Sequence, residues 1–451
     1  METYTIDTVP KGVPVQVLSG FETRFPTAKY AVVRDVRSTG YSRPGVERRI
    51  MAEFLRKNTW IPLEMYVGLN ATQFAPLETK VSERVQKIHD RYFRKHLGER
   101  ANSFRPAMGM DPEIFVVDGK TNKVIPAFGF LPDKRAPFRN SIVGESINAY
   151  WDGFQAEIST TSFGCLETMC NTVWTGLKTI LQQARKKYPD AKLSHETVVT
   201  VDSDVLKVIS DQHVALGCST SHNAYGTPHI QVDDPRLLPF RFAGGHGHFG
   251  DDTLRPISTE QIEEIVKVLD STIGVASVLW FQGLENPIRR QFYGRAGEYR
   301  RPKHGLEYRV LGNGWLIHPA IFHLVMGMLR KSYQFARYGF GKYLTGDSEA
   351  VREIIDSYDV KGAMEHVQRN KDIFKSILKA EVNTTTNVGF NLLESGVAEV
   401  LETPTDLEKN WHLELPRWWC TGGRDTDYGT SFDPMFWRYA VNNFLSKGQK
   451  I

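Results

Sequence analysis

The sequence predicts an α+β fold built on a largely antiparallel sheet. Two amphipathic helices stand in the middle of the chain, with six short β-type segments around them. There are too few strand–helix–strand crossovers to pair those segments in parallel. At roughly 150 residues per domain, 451 residues predict about three domains or one large elaborated core. Three zones separate: residues 1–104, a mixed N-terminal extension without an assigned role; 105–340, which hold the chemistry-bearing motifs; and 341–451, a run of short polar helices with a tryptophan-rich end, WHLELPRWWC.

Taken in order, a basic helical run, VSERVQKIHDRYFRKHLGER, closes the first zone. The β-type segments EIFVVD and FQAEIS follow. A helix is then predicted over 166–187, where Leu166, Met169, Val173, Leu177, Ile180 and Ala184 form an apolar stripe, Lys186 and Lys187 suit the C-terminal dipole and Pro189 stops it. HETVVTVD, PHIQVD and FAGGHGHFG read as further strands. The second helix, over 259–281, is announced by a capping box of Ser258 and Gln261 and a staple of Ile257 on Ile262, with Ile262, Ile265, Leu269, Ile273 and Ala276 recurring behind it. GLEYRVL is the last strand.

Composition narrows the function. Hydrophobic residues at 41% and charged residues at 24% describe a globular chain, and a net charge of +4 is too small to argue for nucleic acid without a clustered patch. Four cysteines are too few and too irregular for a disulfide framework or a zinc knuckle, which fits a reducing cytoplasm. The N-terminus has no secretory pattern, and the longest apolar stretch, 314–329, is interrupted by His318 and His323 and falls short of the about 20 residues a membrane span needs.

Several motifs carry chemistry. Asp111 and Glu113 of DPEIFVVD are two apart, so in an extended chain they share a face, with Phe115 and Val117 beyond them. Two such carboxylates repel and resist burial unless a divalent cation sits between them; an Asp-Pro turn leading into a solvated strand end is the plainer reading. FQAEIS puts Phe154, Ala156 and Ile158 on one face and Gln155, Glu157 and Ser159 on the other, which periodicity alone makes a wet face. In AGGHGHFG, His246 and His248 point to one side, and the surrounding glycines suggest a ligand or backbone approaching closely. A β-bulge with exposed histidines is the alternative. Glu307 and Arg309 of GLEYRVL share a face, as metal and phosphate groups or as an ordinary cross-strand ion pair.

Upstream, NPIRRQFYGRAGEYRRPKHG supplies Arg289, Arg290, Arg295, Arg300, Arg301 and Lys303 among glycines, a loop able to wrap phosphate or simply a solvated basic face. Mostly oxygen ligands with one or two imidazoles favour Mg²⁺ or Mn²⁺ over zinc. Hard cations beside arginines suit a nucleoside triphosphate, and no GxxxxGK[ST] is present to make it a P-loop.

The ordered set DPEIFVVD, GFQAEIS, GGHGHFG, YGRAGEYR and GLEYRVLGNGWL resembles the carboxylate–amine ligase superfamily that includes glutamine synthetase and glutamate–cysteine ligase, and within it the phage-type COOH–NH2 amidoligases of type 2. GCSTSHNAYG (217–226) is also similar to a segment of that family, and the resemblance runs over about residues 109–330. It implies a glutamine synthetase-like core, a curved antiparallel sheet with helices on its outer face, and an ATP- and Mg²⁺-dependent ligase that forms an amide through an acyl phosphate. Carried over residue by residue, it implies metal ligands at Asp111, Glu113, Glu157, His246 and Glu307, with His248 approaching the phosphates. Arg309 would face the phosphoryl group, and Arg295 and Arg300 would clamp the phosphates. One metal-ligating glutamate of glutamine synthetase has no counterpart, and Asp152 is the substitute on offer. The acid and amine substrates do not carry over.

Two other classes stay open on the sequence: a metal-dependent hydrolase or cupin-like enzyme using the His-x-His pair, and a non-catalytic ligase fold serving in binding or assembly. The ligase reading places the protein in the cytoplasm (a host's, if phage-encoded). It expects neither a membrane nor a nucleic-acid partner, and leaves open a homo-oligomer joined at sheet edges or at the tryptophan-rich end.

Overall fold

The structure is a computed structural model describing residues 3–10, 13–19, 29–43, 46–56, 59–67, 73–100, 106–133, 138–139, 147–160, 166–214, 221–228, 230, 232–250, 258–303, 305–337, 339–382, 388–415 and 450. Strands β1 (Tyr4–Thr5), β2 (Pro14–Ser19), β3 (Tyr30–Arg43), β4 (Val46–Arg56), β5 (Thr59–Val67) and β6 (Gln73–Ala75) form a six-stranded antiparallel sheet in the order β1-β6-β2-β3-β4-β5. It encloses its own small core of Ile6, Val9, Val15, Ala31, Val33, Ala52, Phe54 and Phe74. The sequence reading left this zone unassigned. Helix α1 (Thr79–Arg100) follows where the basic helical run is predicted, and packs on a helix of the C-terminal zone.

The larger sheet is built from β7 (Ala107–Asp118), β8 (Val124–Ile125), β9 (Phe138–Arg139), β10 (Ile147–Asp152) and β11 (Gln155–Thr160). After α2 (Leu166–Lys187) come β12 (Ala191–Ser194), the short β13 (Val198–Thr200), helices α3 (Ser203–Val208) and α4 (Asp211–Val214), then β14 (His222–Asn223), β15 (Phe240–Phe242) and β16 (Gly245–Gly250). The chain continues through α5 (Thr259–Leu269), a π-helical turn at Asp270–Gly274, α6 (Val275–Trp280), α7 (Arg289–Phe292), β17 (Glu298–Arg300) and β18 (Gly305–Tyr308). The strand order is β14-β17-β18-β16-β7-β11-β10-β9, with β8 and β12 also paired to β7, and β13 and β15 form a separate ribbon. The strand pairs of this sheet are antiparallel, as predicted.

Alternation decides what each face carries. Met108, Met110, Ile114 and Val116 of β7, Ala156 and Ile158 of β11, Phe249 of β16, and Leu306 and Tyr308 of β18 enter one continuous core with the stripes of α2, α5 and α6. Helix α2 covers the predicted span, and α5 opens on the predicted capping box, with both Ser258–Gln261 hydrogen bonds formed. Ile257, the other half of the expected staple, lies outside the described residues. The stripe from 262 to 276 gave no sign of the π turn that interrupts it.

Helices α8 (Pro319–Arg337), α9 (Ser348–Asp356), α10 (Val360–Arg369), α11 (Lys371–Val382), α12 (Val388–Ser395) and α13 (Leu407–Asn410) complete the described chain. Val351, Ile355, Val367, Phe374, Leu392 and Trp411 belong to the same core as the sheet, so the expected boundary near residue 340 falls inside one packed interior. PHIQVD forms no strand at its described positions. Phe154 also departs from its expected face. It occupies the two-residue turn between β10 and β11, after Gly153 at φ +66°, and packs with Phe115, Val201 and Leu206 rather than with Ala156 and Ile158.

Candidate active site

Strand register assembles the site. On β7, Asp111 lies opposite His246 and Gly109 opposite His248; His248 lies opposite Glu307, and Glu307 opposite Arg300. On the other side of β7, Glu113 lies opposite Glu157, and Glu157 opposite Tyr150. Cross-strand partners share a face, so six adjacent strands bring residues scattered over 109–307 onto one side, opposite the face packed on α2, α5 and α6.

Two groups result. Asp111, His248 and Glu307 each offer a ligand atom within 4.8 Å of the others, and Glu113, Asp152 and Glu157 do the same. Asp111 Oδ1 is 3.0 Å from His248 Nε2 and 3.3 Å from His246 Nδ1, yet it is buried without a hydrogen bond. Burial would raise the Asp111 carboxyl, but His248 and His246 outweigh it and hold the group well below the usual carboxylate range. Burial depresses His248, and Asp111 with Glu307 overcomes that and raises it. His246 is buried and driven to about 4, first by desolvation and then by Arg309.

In the second group, burial and the neighbouring Asp152 push Glu113 up to about 7, against the Gly244 N–H and Arg309. Glu157 is buried rather than on a wet face, and the Tyr150 hydroxyl donates to it. Both groups fit divalent cations: hard oxygen donors dominate, acidic charges crowd a buried surface, and Asp111 keeps an unsatisfied oxygen. His248 belongs to the first group, and His246, the ligand the resemblance implies, lies against it, with Nδ1 3.3 Å from Asp111 and 3.7 Å from Glu307.

The basic residues divide. Arg309 donates to Glu307 and, at 3.3 Å, to the Tyr293 hydroxyl, while Arg300 is 3.7 Å from Glu307. Both stand beside the first carboxylate group. Arg295 is not brought to it: the turn between Gly294 (φ +70°) and Gly297 (φ +80°) directs its guanidinium to Asp356, at 3.5 Å, and the Pro228 carbonyl. Arg289 and Arg290 are fully buried and share Glu285. Their remaining donors hold the carbonyls of Ala243, Gly294, Val310 and Leu311, fixing the segments that flank the histidine strand. They are braces, not phosphate ligands.

The glycines of the histidine strand also serve packing. A Cβ on Gly244 would meet His246 Nε2 at 2.5 Å, one on Gly245 would meet the Trp315 indole and, at 2.5 Å, the Gly312 carbonyl, and one on Gly247 would meet Leu329. Close backbone approach is therefore the part of the glycine reading that holds here. Sequence reasoning missed Tyr293. Its hydroxyl lies 3.0 Å from Glu113 Oε1 and 2.8 Å from His246 Nε2, and its only sequence signal was a place in the arginine-rich loop. It also missed Asn313, which donates to the Glu113 carbonyl. The segment at 217–226 is described only from 221; there Asn223 donates to the Ala296 carbonyl and steadies the arginine loop.

An antiparallel sheet presenting two carboxylate groups beside two arginines offers donors that suit hard cations and phosphate oxygens. Residues 238–358, which include His246, His248, Arg300, Glu307 and Arg309, match the family described as Phage phiEco32-like COOH.NH2 ligase-type 2. No curated protein matches the sequence. Among solved structures, the chain is similar to the complex between the prokaryotic ubiquitin-like protein Pup and its ligase PafA, at 13% identity and a TM-score of 0.35, covering 67% of this chain and 66% of that one. It is also similar to a bifunctional glutathione synthetase from Pasteurella multocida, at 10% identity and a TM-score of 0.28, covering 72% of this chain and 53% of that one. Among the described residues no helix is long and apolar enough to cross a membrane.

Proposed function

We propose that the protein is an ATP- and Mg²⁺-dependent ligase that joins a carboxylate to an amine through an acyl phosphate, with Mn²⁺ able to replace Mg²⁺. The observation that carries this is the pairing of two carboxylate groups on one sheet face, with Arg300 and Arg309 beside the first of them. Divalent cations there would neutralise phosphate charge and hold the triphosphate for in-line transfer.

The chain's own residues have distinct tasks. Asp111, His248 and Glu307 would hold one cation, and Glu113, Asp152 and Glu157 the other. Arg309, kept in place by Glu307 and Tyr293, would present its planar fork to the transferred phosphoryl group, with Arg300 beside it. A substrate carboxylate oxygen attacks the γ-phosphorus and ADP leaves; the amine then attacks the acyl carbon and expels phosphate. The buried, water-poor strand face would protect the acyl phosphate from hydrolysis. We assign this chemistry to the sheet of residues 105–340, and cytoplasmic ATP would supply it.

Calorimetry with a non-hydrolysable ATP analogue tests the reading without knowledge of the acid or amine. Micromolar binding that requires Mg²⁺ and weakens about tenfold or more in Glu113→Gln is expected, since a carboxylate–cation contact is replaced by a neutral amide. Binding that ignores both Mg²⁺ and the substitution would remove the two-cation site from the reading.

A further inference from the structure

The two carboxylate groups are joined by one hydroxyl. Tyr293 Oη is 3.0 Å from Glu113 Oε1 in the second group and 2.8 Å from His246 Nε2; the other nitrogen of that ring is 3.3 Å from Asp111 and 3.7 Å from Glu307 in the first. Arg309, bound to Glu307, also donates to the same oxygen. The tyrosine is held rigidly for this position. Its backbone N–H bonds to the Arg289 carbonyl at 2.7 Å, its ring lies 5.3 Å from the Arg289 guanidinium and 5.6 Å from that of Arg309, and Gly294 turns the chain immediately after it.

A phenol has one proton to give, and Arg309 can only donate to it. The hydroxyl proton therefore serves Glu113 or His246, not both. Were a cation held by Asp111 and Glu307 to take the lone pair of His246 Nδ1 as well, that ring's proton would stay on Nε2 and be donated to Tyr293. The hydroxyl would then turn its proton to Glu113 Oε1, while the Gly244 N–H holds Oε2 at 2.6 Å. The carboxylate would thereby be fixed for the second ion.

We infer that Tyr293 is a positioning residue that couples the two cation sites, so that filling one favours filling the other. This rests on the two-cation reading above, and its test separates the two. Free Mn²⁺ would be followed by electron paramagnetic resonance during titration of the full chain, wild type and Tyr293→Phe, with no nucleotide present. Phenylalanine keeps the ring against both arginines and removes only the hydroxyl.

The expected result is two ions bound cooperatively by the wild type. In the variant, the first ion binds much as before and the second about tenfold or more weaker, the worth of a hydrogen bond to a charged group. The metal-free thermal midpoint should be nearly unchanged. Wild-type-like binding of both ions in Tyr293→Phe would overturn the coupling. So would equal weakening of both ions together with a lowered midpoint, since that marks a purely structural role. If the wild type itself binds no Mn²⁺, the two-cation reading fails and the coupling falls with it.

Discussion

At the scale of single residues, the glycines beside the histidines separate what the site needs from what the fold needs. A methyl on Gly245 would strike the Trp315 indole and the Gly312 carbonyl, and the carbonyl is backbone that cannot move aside. Trp315 is also fixed by its own hydrogen bond to the Gly245 carbonyl. A methyl on Gly247 meets only the end of Leu329, a flexible side chain, and alanine suits a strand better than glycine. Gly245→Ala should therefore lose about 2–3 kcal/mol of stability as an overpacked position, and Gly247→Ala stay within about 1 kcal/mol of wild type. Urea unfolding of both variants measures this, and the reverse ranking would contradict the packing account. The carboxylates, by contrast, were legible as residues: Asp111, Glu113, Glu157 and Glu307 were read from short motifs, and all four lie on one face. Tyr293 was not legible, because its value comes from three partners at positions 113, 246 and 309 that no local spacing relates.

At the scale of elements, alternation on β7, β16 and β18 and the stripe of α2 were readable because period 2 and period 3.6 leave a mark in any sequence. The π turn between α5 and α6 was not, since one extra residue per turn barely disturbs an apolar stripe. That turn sets Asp270 against the reverse of β18, where Tyr308 donates to it at 2.6 Å. Burial first, and Asp356 second among the raising effects, lift Asp270 to about 7, against hydrogen bonds from Tyr308, Tyr225 and the Gly297 N–H. Its folded value lies above its ordinary 3.8, so between these values the folded chain holds a proton that the unfolded chain has lost. The associated stability is complete below about 3.8 and disappears as pH rises through about 7. Asp270→Asn should flatten that decline: relative to wild type, the variant gains stability between pH 5 and pH 8. Urea unfolding at those two pH values decides it, and parallel changes in both proteins would show that Asp270 does not titrate as its surroundings require. The arginine loop shows the opposite limit of legibility. Six cations in one stretch looked alike, and only their partners separate Arg289 and Arg290, locked on Glu285, from Arg300, which stands with Arg309 beside the carboxylates.

At the scale of the whole molecule, two hydrophobic cores of unequal size share one chain. The six-stranded N-terminal sheet buries its own cluster from Ile6 to Phe74 and contributes Val32 to the larger one, whereas the ten-stranded sheet and the helices up to Trp411 form a continuous interior. A small core buries a smaller fraction of its surface and is held less strongly. The long strands β3, β4 and β5 lie toward one edge of their sheet, so their ladder ends without a further partner strand on β5 among the described residues. Native-state hydrogen exchange read by mass spectrometry should therefore show β3–β5 exchanging through a separate opening, at lower free energy and lower denaturant than β7, β16 and β18. The site strands lie inside the sheet and are covered by α2, α5 and α8, so they should exchange only with global unfolding. Identical opening energies for β4 and β16 would mean that α1, packed on α11, welds the two cores into one cooperative unit. Separate openings would mean that the N-terminal sheet can rearrange, or meet a substrate, while the carboxylate groups keep their geometry.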